Sequence, residues 1–175
     1  MKNSLVVIKL LLILMFATVT SMSGQARKKA DQATEEWRYE LQCTGVGVDG
    51  TKLVKVFSYS KKATVAIEQA KKNAVHGLIF KGFAGNSAAR CPSAPPLSNN
   101  AAIEKEKAEY FEKFFADGGP YMKFVSVSGD GSIAPEDRVK VGKEYKVGIV
   151  ISVMYDQLRK ELESAGIIKG LSSGF

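Results

Sequence analysis

The chain has one histidine and two cysteines in 175 residues. A single imidazole excludes a metal centre built on several histidines. Cys43 and Cys91 also lack the paired spacing of a zinc-thiolate site. No basic stripe with interleaved aromatics is present, which argues against a nucleic-acid partner. Glu104, Lys105, Glu106 and Lys107 alternate in sign and read as a solvated face rather than a polyanion track. No internal repeat is present. No uninterrupted apolar run reaches the ~20 residues of a membrane span. The apolar stretch from Leu5 to Thr20 is broken by Lys9.

What is there begins with that stretch. Lys2, the apolar core and the small residues Thr20, Ser21, Ser23 and Gly24 have the order of a secretory signal peptide. No cysteine follows directly, which argues against a lipid anchor, and no transmembrane anchor is expected after cleavage. Residues 1–23 are therefore expected to be removed on export, to the periplasm or the outer membrane. The formal charge of +7 falls to +5 without Lys2 and Lys9. Arg27, Lys28 and Lys29 then lie in a flexible N-terminus, residues 24–36. Residues 37–168 suit one domain, followed by a tail, 169–175. An oxidising compartment makes a Cys43–Cys91 disulfide the expected use of the two cysteines. Two buried free thiols are the alternative.

Along the chain, Trp37, Tyr39, Leu41 and Cys43 alternate with polar residues and predict a half-buried strand. Asp49-Gly50 predicts a two-residue hairpin turn into a return strand, 52–59, with Cys43 opposite Val56 and Leu41 opposite Ser58. Ala63, Ile67, Ala70, Ala74 and Leu78 recur at helical spacing and predict a helix that Gly82 ends. Residues 81–100 hold two glycines and three prolines without periodicity and predict a long loop. Helix 101–117 follows, capped by Asn99 or Asn100, with Tyr110, Phe111, Phe114 and Phe115 on its core face. Strand 121–128, a Gly129-Asp130-Gly131 turn, and a hairpin of 138–141 with 144–154 around Gly142-Lys143 come next. Asp156 is expected to cap a last helix that Gly166 ends. The predicted fold is α+β: an antiparallel sheet of two hairpins plus a further strand, with three helices mainly on one face.

Several motifs dissolve in context. Gly45, Gly47 and Gly50 spell a dinucleotide-binding pattern, but a strand follows where the pyrophosphate needs a helix N-terminus. Ser58 and Lys61 spell an acylation motif without its supporting elements. Asp130 lacks the repeated acids of a calcium loop. His76 lies off the alanine stripe and is expected to be exposed or at a rim. Glu104, Glu106, Glu109 and Glu112 are expected at the surface. The sequence assigns no catalytic residue, no cofactor and no metal ligand. The 81–100 loop is the least explained segment. Phe83, Arg90 and Leu97 are its candidate partner-binding residues, with Cys91 pinning its middle.

The run from Trp37 to Cys43, the run from Gly50 to Val56 and the run from Ala66 to Val75 resemble small exported proteins of Bacteroidota-type bacteria. They are also distantly similar to envelope modules such as the N-terminal domain of flagellar assembly protein T. The similarity spans 37–82 and implies an envelope-associated, non-enzymatic module. The leading expectation is an exported accessory module acting through contacts with an envelope protein. A periplasmic small-ligand or glycan binder using the 81–100 loop is the alternative. An enzyme stands third and requires His76 to meet an acid and a hydroxyl in a cleft.

Overall fold

The computed structural model describes residues 37–48 and 50–170. The expected signal peptide, the 24–36 segment, Asp49 and residues 171–175 of the tail lie outside the described residues. Period-two alternation produces β1, Tyr39–Val46, and β2, Thr51–Ser60, which pair antiparallel. Along its whole length β2 pairs with β5, Glu144–Met154. Two short strands share the other edge of β5. β3, Val125–Val127, takes one end and β4, Arg138–Val141, takes the other. The helices are α1, Ala63–Phe80; α2, Ile103–Glu106; α3, Ala108–Phe114; and α4, Tyr155–Ser164. The architecture is α+β with a five-stranded antiparallel sheet. Among the described residues no helix is long and apolar enough to cross a membrane.

Alternation puts Cys43, Val54, Val56, Val147, Ile149, Ile151 and Val153 on one face of the sheet, each at most 3% exposed. Against it α1 sets Ala66, Ala70 and Ala74, all fully buried, whose short side chains let the helix lie close. Leu158 and Leu162 of α4, with Phe111, Phe114, Tyr121 and Phe124, complete the same core. The opposite face is polar and aromatic. There Lys55 bonds both carboxylate oxygens of Asp137 at 2.8 Å. Lys146 reaches Glu40 at 2.6 Å.

Five local expectations are corrected. Cys43 opposes Val54 and Leu41 opposes Val56, two residues from the predicted register, with a bulge between Cys43 and Gly45. The connection is longer than a two-residue turn: the Gly47 N–H donates to the Thr51 carbonyl at 3.0 Å. A two-residue shift preserves which side chains face inward, so the core assignment survives. Helix 101–117 is broken at Lys107, whose φ is −116°. No residue between Ile103 and Phe111 is buried, and helices in proteins are held mainly by packing. The start of strand 121–128 is a 3₁₀ turn, Pro120–Phe124. Proline opens it, and the three-residue spacing of Tyr121 and Phe124 brings both onto one buried side. Asp156 sits in the first turn of α4 without capping it.

Residues 81–100 form no regular strand or helix, yet they are tied down. Phe83 bridges Ala94, and Asn86 bridges Cys91. The Leu97 and Ser98 N–H groups donate to the Leu78 and Ile79 carbonyls at 2.9 and 3.0 Å, which satisfies the open carbonyls at the end of α1. Cys43 and Cys91 form a disulfide with their Cα atoms 6.0 Å apart.

The bond closes a loop with a sequence separation of 48. Loop-closure entropy then predicts that C43A/C91A loses about 4 kcal/mol of stability, read as a lowered urea midpoint. Reduction of the wild type should reproduce the loss. Gly82 ends α1 at φ +67, and an added Cβ would meet Ala94 O and would stand 2.8 Å from Pro95 C and from Pro96 N. Because these are backbone atoms and the φ disfavours L side chains, G82A should lower stability by about 2 kcal/mol or more in the same assay.

Candidate functional site

The second half of α1 is buried on all sides: residues 72–79 form an unbroken buried run. His76, expected at an exposed position, is 2% exposed. The correction follows from chain on both sides of the helix, which covers the ring with Trp37 and Tyr39 from before it and Glu104 and Phe115 from after it. There β1, α1 and α2 each bring one polar group. The Tyr39 hydroxyl lies 2.6 Å from His76 Nδ1. Glu104 Oε1 lies 3.1 Å from His76 Nε2. Glu104, expected as a surface charge, is thus in part a buried partner. Trp37 stacks on the imidazole with ring centroids 3.5 Å apart and an interplanar angle of 18°. Phe80 and Phe115 lie 4.7 and 5.9 Å from the same ring.

The protonation states follow from the surroundings. Burial, and then the charge of Lys81, pull His76 from 6.5 down to about 3. The ring is therefore neutral at pH 7, and its contact with Glu104 is a hydrogen bond rather than an ion pair. In the tautomer that suits both partners, Tyr39 donates to Nδ1 and Nε2–H donates to Glu104. Burial, and then the Glu104 charge, push the Tyr39 phenol further up. Burial also raises Glu104, while Lys81 and a hydrogen bond from Trp37 pull it back. An acid, an imidazole and a hydroxyl are in line, but the base among them is too weak at neutral pH to take a proton readily. While the indole is seated, the array holds its members in place rather than working as an acid–base pair.

Next to His76 on the helix runs a polar stripe. Gln69 and Asn73 are each 2% exposed, and Lys72 is 4% exposed. Asn73 Nδ2 donates to Ser58 Oγ at 2.9 Å. Burial lowers Lys72 to about 8, with Asp117 opposing. A depression of about 260 Å³ opens beside the array, lined by Tyr39, Leu41, Lys81 and Phe83 among others. Lys81 Nζ sits 4.1 Å above the Tyr39 ring.

Of the loop residues singled out from sequence, Phe83 and Leu97 are core side chains, 7% and 5% exposed. They anchor the loop. Arg90 is exposed, at a left-handed φ of 50°, next to Cys91. Cys91 Sγ lies 3.7 Å from the Gly45 carbonyl, so the loop tip abuts the end of the first hairpin. There Val46 and Val48 are 55% and 82% exposed. The structure brings Cys91, the neighbour of Arg90, to the hairpin end and leaves Phe83 and Leu97 inside. Among the described residues no group of three metal-ligating side chains is present.

The His76 grouping escaped sequence reading, although a signal for it exists. Gln69, Asn73 and His76 recur at helical spacing beside the alanine stripe, the mark of a polar row that faces protein. In comparisons with protein-family models, curated proteins and solved structures, nothing matches the chain.

The depressed His76 value makes stability depend on pH. Between pH 6.5 and about 3 the unfolded chain binds a proton that the folded chain refuses, so acidification destabilises. The slope approaches about 1.4 kcal/mol per pH unit from this group. The raised Glu104 works in the opposite sense just above its ordinary range. Urea unfolding across pH 4–7 should therefore show H76Q losing the histidine part of the slope. Equal slopes in wild type and H76Q contradict the buried neutral imidazole.

Proposed function

We propose that the protein is an exported accessory module of the cell envelope, periplasmic or outer-membrane-associated, that acts through contact with another protein rather than by catalysis. The observation that carries this reading is Arg90. It is an exposed cation held at φ 50° beside a disulfide-linked cysteine. A left-handed φ in a residue with a long side chain costs of order 1–3 kcal/mol and persists where the surroundings impose it. Here the disulfide and the Asn86–Cys91 bridge impose it. Arginine is prominent among interface anchors, and apolar side chains beside it add area to bury. Val46 and Val48 supply that area, so the fitting partner surface carries a carboxylate next to an apolar patch. The export signal and the disulfide support the compartment. The small-ligand alternative draws on the depression beside Tyr39 and Lys81, and the enzyme reading on the His76 grouping, whose imidazole is buried and neutral as it stands.

The test pairs localisation with cross-linking. Cell fractionation should recover processed protein outside the cytoplasm. A photo-reactive residue at Ser87 should yield one discrete adduct in intact cells, which R90E and V48S each weaken at least about tenfold. Unprocessed protein in the cytoplasm, or adducts indifferent to both substitutions, would sink the reading. Neither substitution touches the core, so loss of folding is not a competing outcome.

A further inference from the structure

We propose that the seat of Trp37 is a binding slot for a planar nitrogen heteroaromatic ring with an N–H donor, occupied here by the chain's own indole. The seat has a floor, a wall and a polar end. His76 provides the floor, parallel to the indole at 3.5 Å. Phe115 provides an edge-on wall, with centroids 5.3 Å apart at 66°. Glu104 provides the polar end, where its carboxylate accepts a hydrogen bond from the Trp37 side chain.

The floor and the edge-on wall each have partners besides Trp37. His76 is fixed by Tyr39 at 2.6 Å and packed by Phe80. Phe115 packs on Phe111, Phe114 and Tyr121. Trp37 itself is held less securely. Its φ is 46°, a conformation that costs a bulky side chain of order 1–3 kcal/mol. Ring contacts and the Lys81 Nζ bond to its carbonyl at 3.4 Å hold it there. Release of the indole recovers the backbone cost, which lowers the affinity a competing ring needs. The Glu104 side chain is 38% exposed, so the polar end opens to solvent. The depression lined by Tyr39 and Lys81 adjoins the seat and has room for a substituent on the ring. Stacking selects a flat ring, and the carboxylate selects one with an N–H.

Trp37 is the only tryptophan and His76 the only histidine, so each reports without interference. Purine is titrated into the oxidised full chain while Trp37 emission and the His76 ring resonances are followed. The expected result is a saturable red shift with a parallel change at His76. Benzothiophene, flat but without an N–H, should act at least about tenfold more weakly, the loss of about 1.4 kcal/mol that one hydrogen bond represents. In a second arm, W37G should regain its lost thermal midpoint when indole is added. Should W37G fail to fold, the wild-type titration decides alone. No saturable change in the wild type up to about 10 mM purine, the range expected for a fragment-sized ring, overturns the proposal. So does equal binding of benzothiophene. Either failure leaves the Arg90 surface untouched, because the two regions share no residue.

Discussion

The Cys43–Cys91 bond is the constraint on which the remainder depends. Residues 81–100 contain too few apolar side chains to fold on their own, and their prolines remove backbone donors. Fixing the middle of this segment to the buried face of β1 shortens the search for both halves. The first half then finds the Phe83–Ala94 bridge. The second lays Leu97 and Ser98 along the end of α1 and delivers α2 to its flank. Glu104 lies beside His76 at the end of a segment tied first by Cys91 and then by the Leu97 and Ser98 bonds to α1. The bond touches neither histidine nor glutamate, yet it sits on the same stretch of chain that carries Glu104.

Burial sets the character of that array. Geometry alone resembles an acid–imidazole–hydroxyl relay. Burial holds His76 at about 3, so at neutral pH the imidazole is neutral and its contacts with Tyr39 and Glu104 are hydrogen bonds. The hydrogen bonds then satisfy buried polar atoms whose abandonment would cost about 1–3 kcal/mol each. Tyr39, His76 and Glu104 thus pin three separate elements against one another while Trp37 covers them.

The fold was largely legible because its signals were local and strong. Val54 and Val56 on one strand and Val147 to Val153 on another alternate at the period of a sheet, and Ala66, Ala70 and Ala74 mark a helix that lies close. Gly82, Gly142 and Gly166 punctuate where positive φ is required. What failed was set by longer-range contacts. The hairpin register depends on a bulge at Thr44 that no residue type announces. At the helix break Lys107 sits in the exposed run 105–109, where no packing holds a continuous helix. His76 looked like a surface residue because its partners come from positions 37, 39 and 104, far along the chain. Phe83 and Leu97 looked available because an irregular segment rich in proline reads as exposed, whereas here it covers the helix.

The division of one edge of β5 between β3 and β4 bears on self-association. An open strand edge is a template for another copy of the same chain. Here β3 covers three residues and β4 four, too few for a long ladder. Arg138 and Lys140 alternate along β4, so a second copy arriving edge to edge would set cations against cations. At the far side of the sheet, Gln42 of β1 is bridged by Ala84, so the disulfide-tied loop interrupts that edge at its middle. Both margins of the sheet thus offer a second copy only short or interrupted stretches of open strand.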